Sequence, residues 1–115
     1  QSEETEKLLE KLYANLDHRC FEVRVESILA VSWIENDGAR VLKQFSRCYF
    51  DKVWKVREAI YKGMGKLVER HVIDPDTALK EMDSILITSN GYLTEYELKK
   101  QYNKSRSVIS KEVGK

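Results

Sequence analysis

Apolar residues recur along the chain with the period of helices that lie with one face down. Leu8, Leu9, Leu12 and Leu16 make one such stripe, and Val41, Leu42, Phe45 and Tyr49 make a second. Each member of the second stripe lies 33 residues after its counterpart in the first. The segments that follow keep this offset: Val23, Ser27, Ala30, Val31 and Ile34 map onto Val56, Ile60, Gly63, Met64 and Leu67. Self-similarity at such a period signals stacked helical units. No stretch sustains the alternation of a strand, so the pattern predicts an all-α chain.

Each unit reads as a helix pair. The predicted helices run from Glu3 to Asn15, Cys20 to Glu35, Asp37 to Cys48 and Lys52 to Arg70. Asp17, Asp37 and Asp51 stand where a side-chain oxygen can accept the free N–H groups of a first turn. In a looser third unit, Asp74-Pro75-Asp76 supplies a cap, a first-turn proline and a carboxylate on the positive helix end. Ala78, Leu79, Met82 and Leu86 then repeat the first-helix face at an offset of 37. Ser89-Asn90-Gly91 predicts a turn, and Thr94 to Glu97 has the form of a capping box opening a last helix. Its stripe is Leu98, Tyr102, Ile109 and Val113, and residues from Glu112 onward are expected to fray. The expectation is one domain over 1–115, with units near 3–35, 36–70 and 74–113.

Two features of the second helices stand out. From Phe21 to Ile34 apolar groups surround the helix, which predicts burial on several sides. Gly63 and Gly65 each cost about 1 kcal/mol relative to Ala within a helix. A close approach of a neighbouring backbone is the expected compensation.

Composition narrows the class. Hydrophobic residues make up 42% of the 115 and charged residues 34%, enough for a core beneath a charged surface and unlike a disordered chain. A single Pro and five Gly argue against turn-dense β architectures. No apolar run approaches the roughly 18 residues of a membrane span, so no membrane partner is expected. The sequence opens at Gln1 without Met or leader, the expectation for a processed chain or a piece of a longer protein. Cys20 and Cys48 lack zinc-ligand spacing and sit beside apolar residues. They are expected to be reduced, buried thiols of a cytoplasmic or nuclear protein, although spacing alone leaves a bridge open. Asn103-Lys104-Ser105 matches a glycosylation sequon, a pattern common by chance.

The residues assemble no catalytic constellation. His18 and His71 are the only histidines, and neither belongs to a His-Glu or His-x₃-His pattern. No glycine-rich loop precedes a helix to cradle phosphate. The chain is therefore expected not to be an enzyme and to need no cofactor or metal.

The net charge of +1 hides a segregation. Residues 1–36 carry −4, residues 52–70 carry +4, and residues 95–115 carry +3. The bases concentrate on two predicted second helices, as Lys55, Lys62, Lys66 and Arg70 and then Lys99, Lys100, Lys104 and Arg106. These form the candidate binding face.

Two strings carry a family resemblance. Asp17 to Arg24 ends in Val23-Arg24 and is followed by Ala30-Val31-Ser32, while Asp51 to Arg57 ends in Val56-Arg57 and is followed by Gly63-Met64-Gly65. An Asp, then Val-Arg opening the second helix, then a small-large-small trio resembles the HEAT repeat, here in a compact form of about 33 residues. The resemblance spans Leu8 to about Leu67 and thins after Leu86. It implies a right-handed α–α superhelix of about three helix pairs, elongated rather than globular. It also implies a ladder in which Arg24 and Arg57 pair with Asp17, Asp51 or a neighbouring unit's equivalent. The alternative for these arginines is a ligand's phosphate or carboxylate.

In such solenoids the second helices line a concave face, which would gather the bases in a groove. The implied function is a protein-interaction scaffold with protein partners. The alternative is nucleic-acid binding, since a HEAT-like fold serves alkylpurine DNA glycosylases and Phe50 to Arg57 is faintly similar to their Trp-x-x-Arg stretch. Trp54 also matches Phe21 one repeat earlier, which favours a structural anchor. Oligomeric state stays open, with exposed end faces inviting self-association or further repeats.

Overall fold

The computed structural model describes residues 2–87 and 91–113. Among these residues the regular structure is entirely helical: α1 (Glu3–Ala14), α2 (Phe21–Ile34), α3 (Gly38–Phe45), α4 (Trp54–Glu69), α5 (Pro75–Met82) and α6 (Tyr92–Ser110). Short 3₁₀ turns at Asn15–Asp17 and Ser46–Cys48 close α1 and α3.

Helix starts follow the capping chemistry where a side chain supplies it. Ser2 accepts from the Thr5 N–H at 3.0 Å, Asp37 from Arg40 at 3.0 Å and Asp74 from Thr77 at 2.9 Å. Asp51 accepts from the Val53 N–H at 2.9 Å and shapes the turn just before α4. Asp17 does not cap α2; it pairs with Arg47. The last helix also departs from expectation. It begins at Tyr92 behind Gly91, and Thr94 lies inside its first turn, donating its hydroxyl to the Gly91 carbonyl at 2.7 Å. Of the predicted turn before it, Ser89 and Asn90 lie outside the described residues.

The helix at the centre is α4, which packs along α2 on one side and α6 on the other. Val56, Ile60, Tyr61, Met64 and Leu67 are all fully buried. The expectation that α2 is buried on several sides holds in part: α1, α3 and α4 pack against it, but among the described residues no helix covers its outer flank. Ile28 and Val31 are buried, yet Val23 and Ala30 are half-buried and Trp33 is 63% exposed. Apolar character all round predicts enclosure, whereas here it leaves part of the apolar surface uncovered. Leu86 also departs from its predicted stripe, because α5 ends at Met82 and Ile85 enters the core instead.

Gly63 answers the question of its helix cost. A Cβ there would lie 3.3 Å from Phe45 and 3.4 Å from the Ser32 Cβ, so its absence lets α2 and α4 close up. At Gly65 a Cβ would meet nothing nearer than Ser105 at 4.0 Å, so close packing does not explain that glycine.

Polar ties bind the helix pairs together. The Tyr13 hydroxyl donates to fully buried Glu35 at 2.6 Å, and Arg40 reaches Glu6 at 2.6 Å while lying over the Tyr13 ring. Tyr49 donates to Glu81 at 2.8 Å. Burial and these carboxylate partners hold both phenols above the ordinary tyrosine range. The radius of gyration, 13.6 Å, is that of a globule of this length (about 13 Å). The expected elongation is absent, because three short pairs side by side are about as wide as their helices are long.

Candidate functional site

The three helices α2, α4 and α6 leave an open cleft of about 310 Å³ between them. Its walls come from equivalent positions. Leu29 and Trp33 on α2 stand 33 residues before Lys62 and Lys66 on α4, and Lys104 and Val108 on α6 complete the rim. The floor consists of small residues, Ser32, Gly65 and Ser105. Gly65 therefore serves the depth of the cleft, since any larger side chain would project toward Ser105.

The central feature is Trp33 with Lys66. The Lys66 Nζ lies 3.6 Å from the centre of the Trp33 ring, within cation–π range. The same ammonium is 3.7 Å from Glu69, and Lys62 is 3.7 Å from Glu58. The cleft thus joins an aromatic and aliphatic wall on α2 to a row of three cations, with Glu69 the acid at its edge.

The predicted basic face divides. Lys62, Lys66 and Lys104 meet at the cleft. Lys55 does not; it lies over the Trp54 ring at 4.7 Å on the first turn of α4. Arg70 is a structural clamp, donating to the carbonyls of Ser32 at 2.8 Å and Glu35 at 2.9 Å and to Asn36 at 2.6 Å. There it satisfies the carbonyl end of α2, a position that suits a cation. Lys99 pairs with Glu95 at 3.0 Å, Lys100 is exposed away from the cleft, and Arg106 reaches the Tyr102 hydroxyl at 3.4 Å.

The ladder expectation also divides. Arg24 grips Asp51 with two hydrogen bonds, 2.9 and 3.0 Å long, in a largely buried pair that ties α2 to the start of α4. Arg57 donates to the Leu86 carbonyl. Asp17 belongs to the Arg47 pair outside the ladder.

Other candidates resolve as structure. Phe21 and Trp54 are the first residues of α2 and α4, as the repeat predicts, and both are half-buried anchors. Cys20 and Cys48 are both free thiols; burial pushes Cys48 up to about 11, and Cys20 donates to Glu22 at 3.1 Å. The sequon lies inside α6, where Ser105 is buried and bonded to Gln101. Among the described residues, no group of three or more His, Cys, Asp or Glu side chains is placed to hold a metal, and no helix is long and apolar enough to cross a membrane.

Sequence reasoning found the lysines but passed over Trp33, which it placed within a buried helix. A signal was present: Trp33 and Leu29 align with Lys66 and Lys62, polar positions of the next unit. Compared with protein-family models, curated proteins and solved structures, the chain matches none.

Proposed function

We propose that this chain is a compact HEAT-like repeat module that acts as a protein-interaction scaffold, with no catalysis of its own. In this reading the three helix pairs are repeat units turning in a right-handed sense, and the cleft of α2, α4 and α6 seats an acidic segment carrying apolar side chains. The observation that carries the reading is Trp33, exposed on the cleft wall and covered by the Lys66 ammonium. An aromatic anchor in a cleft that also presents three lysines suits a partner that brings both a hydrophobic group and carboxylates. Nucleic acid is the weaker alternative, because three converging lysines with Glu69 at their edge do not make the continuous basic track a phosphate backbone needs.

Fluorescence tests the proposal. A Trp54→Phe variant leaves Trp33 as the single emitter. Titration with a Glu- and Leu-bearing amphipathic peptide is expected to shift its emission, and Lys62→Glu with Lys66→Glu to weaken that response about tenfold or more (about 1.4 kcal/mol). A Lys- and Leu-bearing peptide is expected to leave the emission unchanged. Binding of a DNA duplex with steep salt dependence, and none of the acidic peptide, would transfer the site to nucleic acid. Silence toward all three would remove the cleft as a site.

A further inference from the structure

The end of the helix layer formed by α1 and α2 carries a second, separate surface. Leu12, Asn15, Val23, Ser27 and Ala30 line an apolar recess of about 470 Å³, with Glu22 and Glu26 on its rim. Leu8, 49% exposed, continues the α1 row one turn back.

The internal repeat states what such a surface is built to meet. Leu8, Leu12, Val23 and Ala30 are exposed or half-buried, whereas their equivalents Val41, Phe45, Val56 and Gly63 are buried. In the second unit that covering comes from the unit before it; Gly63, for instance, abuts Ser32 and Ile28 of α2. The same face on the first unit is uncovered, and its shape is that of a seat for a helix.

Charge selects the occupant. The rim is acidic and residues 1–36 carry −4, so two copies meeting through this face would repel each other. At the opposite end of the layer, α6 turns Leu98, Tyr102, Ser105 and Ile109 inward. At 100° per residue its outer face is Leu93, Tyr96, Lys100, Ser107 and Lys111. Leu93 is 75% and Tyr96 58% exposed, and the charges of this row are basic. We propose that the α1–α2 end face docks the outer face of α6 from a second copy of this chain, head to tail. Apolar meets apolar, basic meets acidic, and the second copy's α6 extends the layer of second helices. Such a contact is heterologous, so it propagates into rings or open rows and does not stop at a symmetric dimer.

Sedimentation velocity on the full chain tests the proposal. The sedimentation coefficient is expected to rise continuously with concentration at low salt and to fall back as salt screens the charges. Ala30→Arg blocks one end and Tyr96→Asp the other; both sites are solvent-accessible, and circular dichroism checks that each variant stays helical. Each variant alone is expected to be monomeric. Mixed in equal amounts they are expected to give a dimer and nothing larger, since each keeps one working end. A wild-type chain that stays monomeric at every concentration and salt would overturn the proposal. So would association that survives in either single variant, which would mark a symmetric contact instead.

Discussion

Helices α2 and α4 share a pattern 33 residues apart, yet α4 lies between two of the long helices, α2 and α6, whereas α2 has such a neighbour, α4, on one flank and packs otherwise on α1 and α3. Val31 and Met64, equivalent positions, are both fully buried. Ile34 and Leu67, also equivalent, are not: Leu67 is fully buried and Ile34 only partly. A repeat therefore sets which side chains are apolar, and position in the stack sets which of them are covered. The apolar surplus of α2 becomes surface, on the cleft side as Leu29 and Trp33 and on the end as Val23 and Ala30.

Truncation should expose this difference most strongly. Leu67→Ala is expected to cost about 2–5 kcal/mol, as a fully buried leucine. Ile34→Ala should cost less than half as much. Urea midpoints measure both, and equal losses would break the comparison. Enlargement makes the next contrast. Gly63→Leu must displace Phe45 of α3 and Ser32 of α2 from α4, at about 1–3 kcal/mol. Ala30→Leu, at the equivalent open position, should stay within about 0.5 kcal/mol of wild type.

Alkali distinguishes the two seams of α4. Ile28 meets α4 from α2, while the equivalent residue on α4 is Tyr61, edge-on to Tyr102 of α6 at 5.4 Å. Among the described residues the buried Tyr61 hydroxyl has no hydrogen-bond partner, and burial raises its pKa from 10.0 to about 12. Folding thus favours the neutral phenol. Its contribution is complete below pH 10 and is lost as pH climbs toward about 12. Tyr61→Phe should retain stability at neutral pH, gaining up to about 1 kcal/mol. It should also move the alkaline unfolding limb upward, followed by far-ultraviolet circular dichroism. The smallest effect concerns how the helices end. Helix α2 runs into extended backbone at Glu35, but α4 closes with His71 at φ 62°, its N–H and that of Val72 returning to Val68 and Leu67. This left-handed cap favours glycine. His71→Gly should therefore raise the thermal midpoint slightly, by about 0.5 kcal/mol in stability.

The helices were legible because their apolar period and their Asp caps are local. Asp37 and Asp74 announced the starts of α3 and α5, whereas Gly91 caps α6 with backbone alone and offers no side-chain signal. The site was legible in part. Charge clustering pointed to Lys62, Lys66 and Lys104, but only three-dimensional neighbours could assign Arg70 to the end of α2 and Lys55 to Trp54. The open flank of α2 is illegible for the same reason, because a single helix does not encode how many others flank it.

The two arginines expected to form a ladder carry different tolerances to drift. The clasp between Arg24 and Asp51 depends on two side chains, so loss of either leaves the other, largely buried, with main-chain partners alone: the His18 and Arg19 carbonyls for Arg24, the Val53 N–H for Asp51. Arg57 holds an oxygen of the main chain at Leu86, which every amino acid presents. Position 86 can therefore change its identity over time without releasing that bond, while a change at 24 or 51 alone gives up the charge pairing between them.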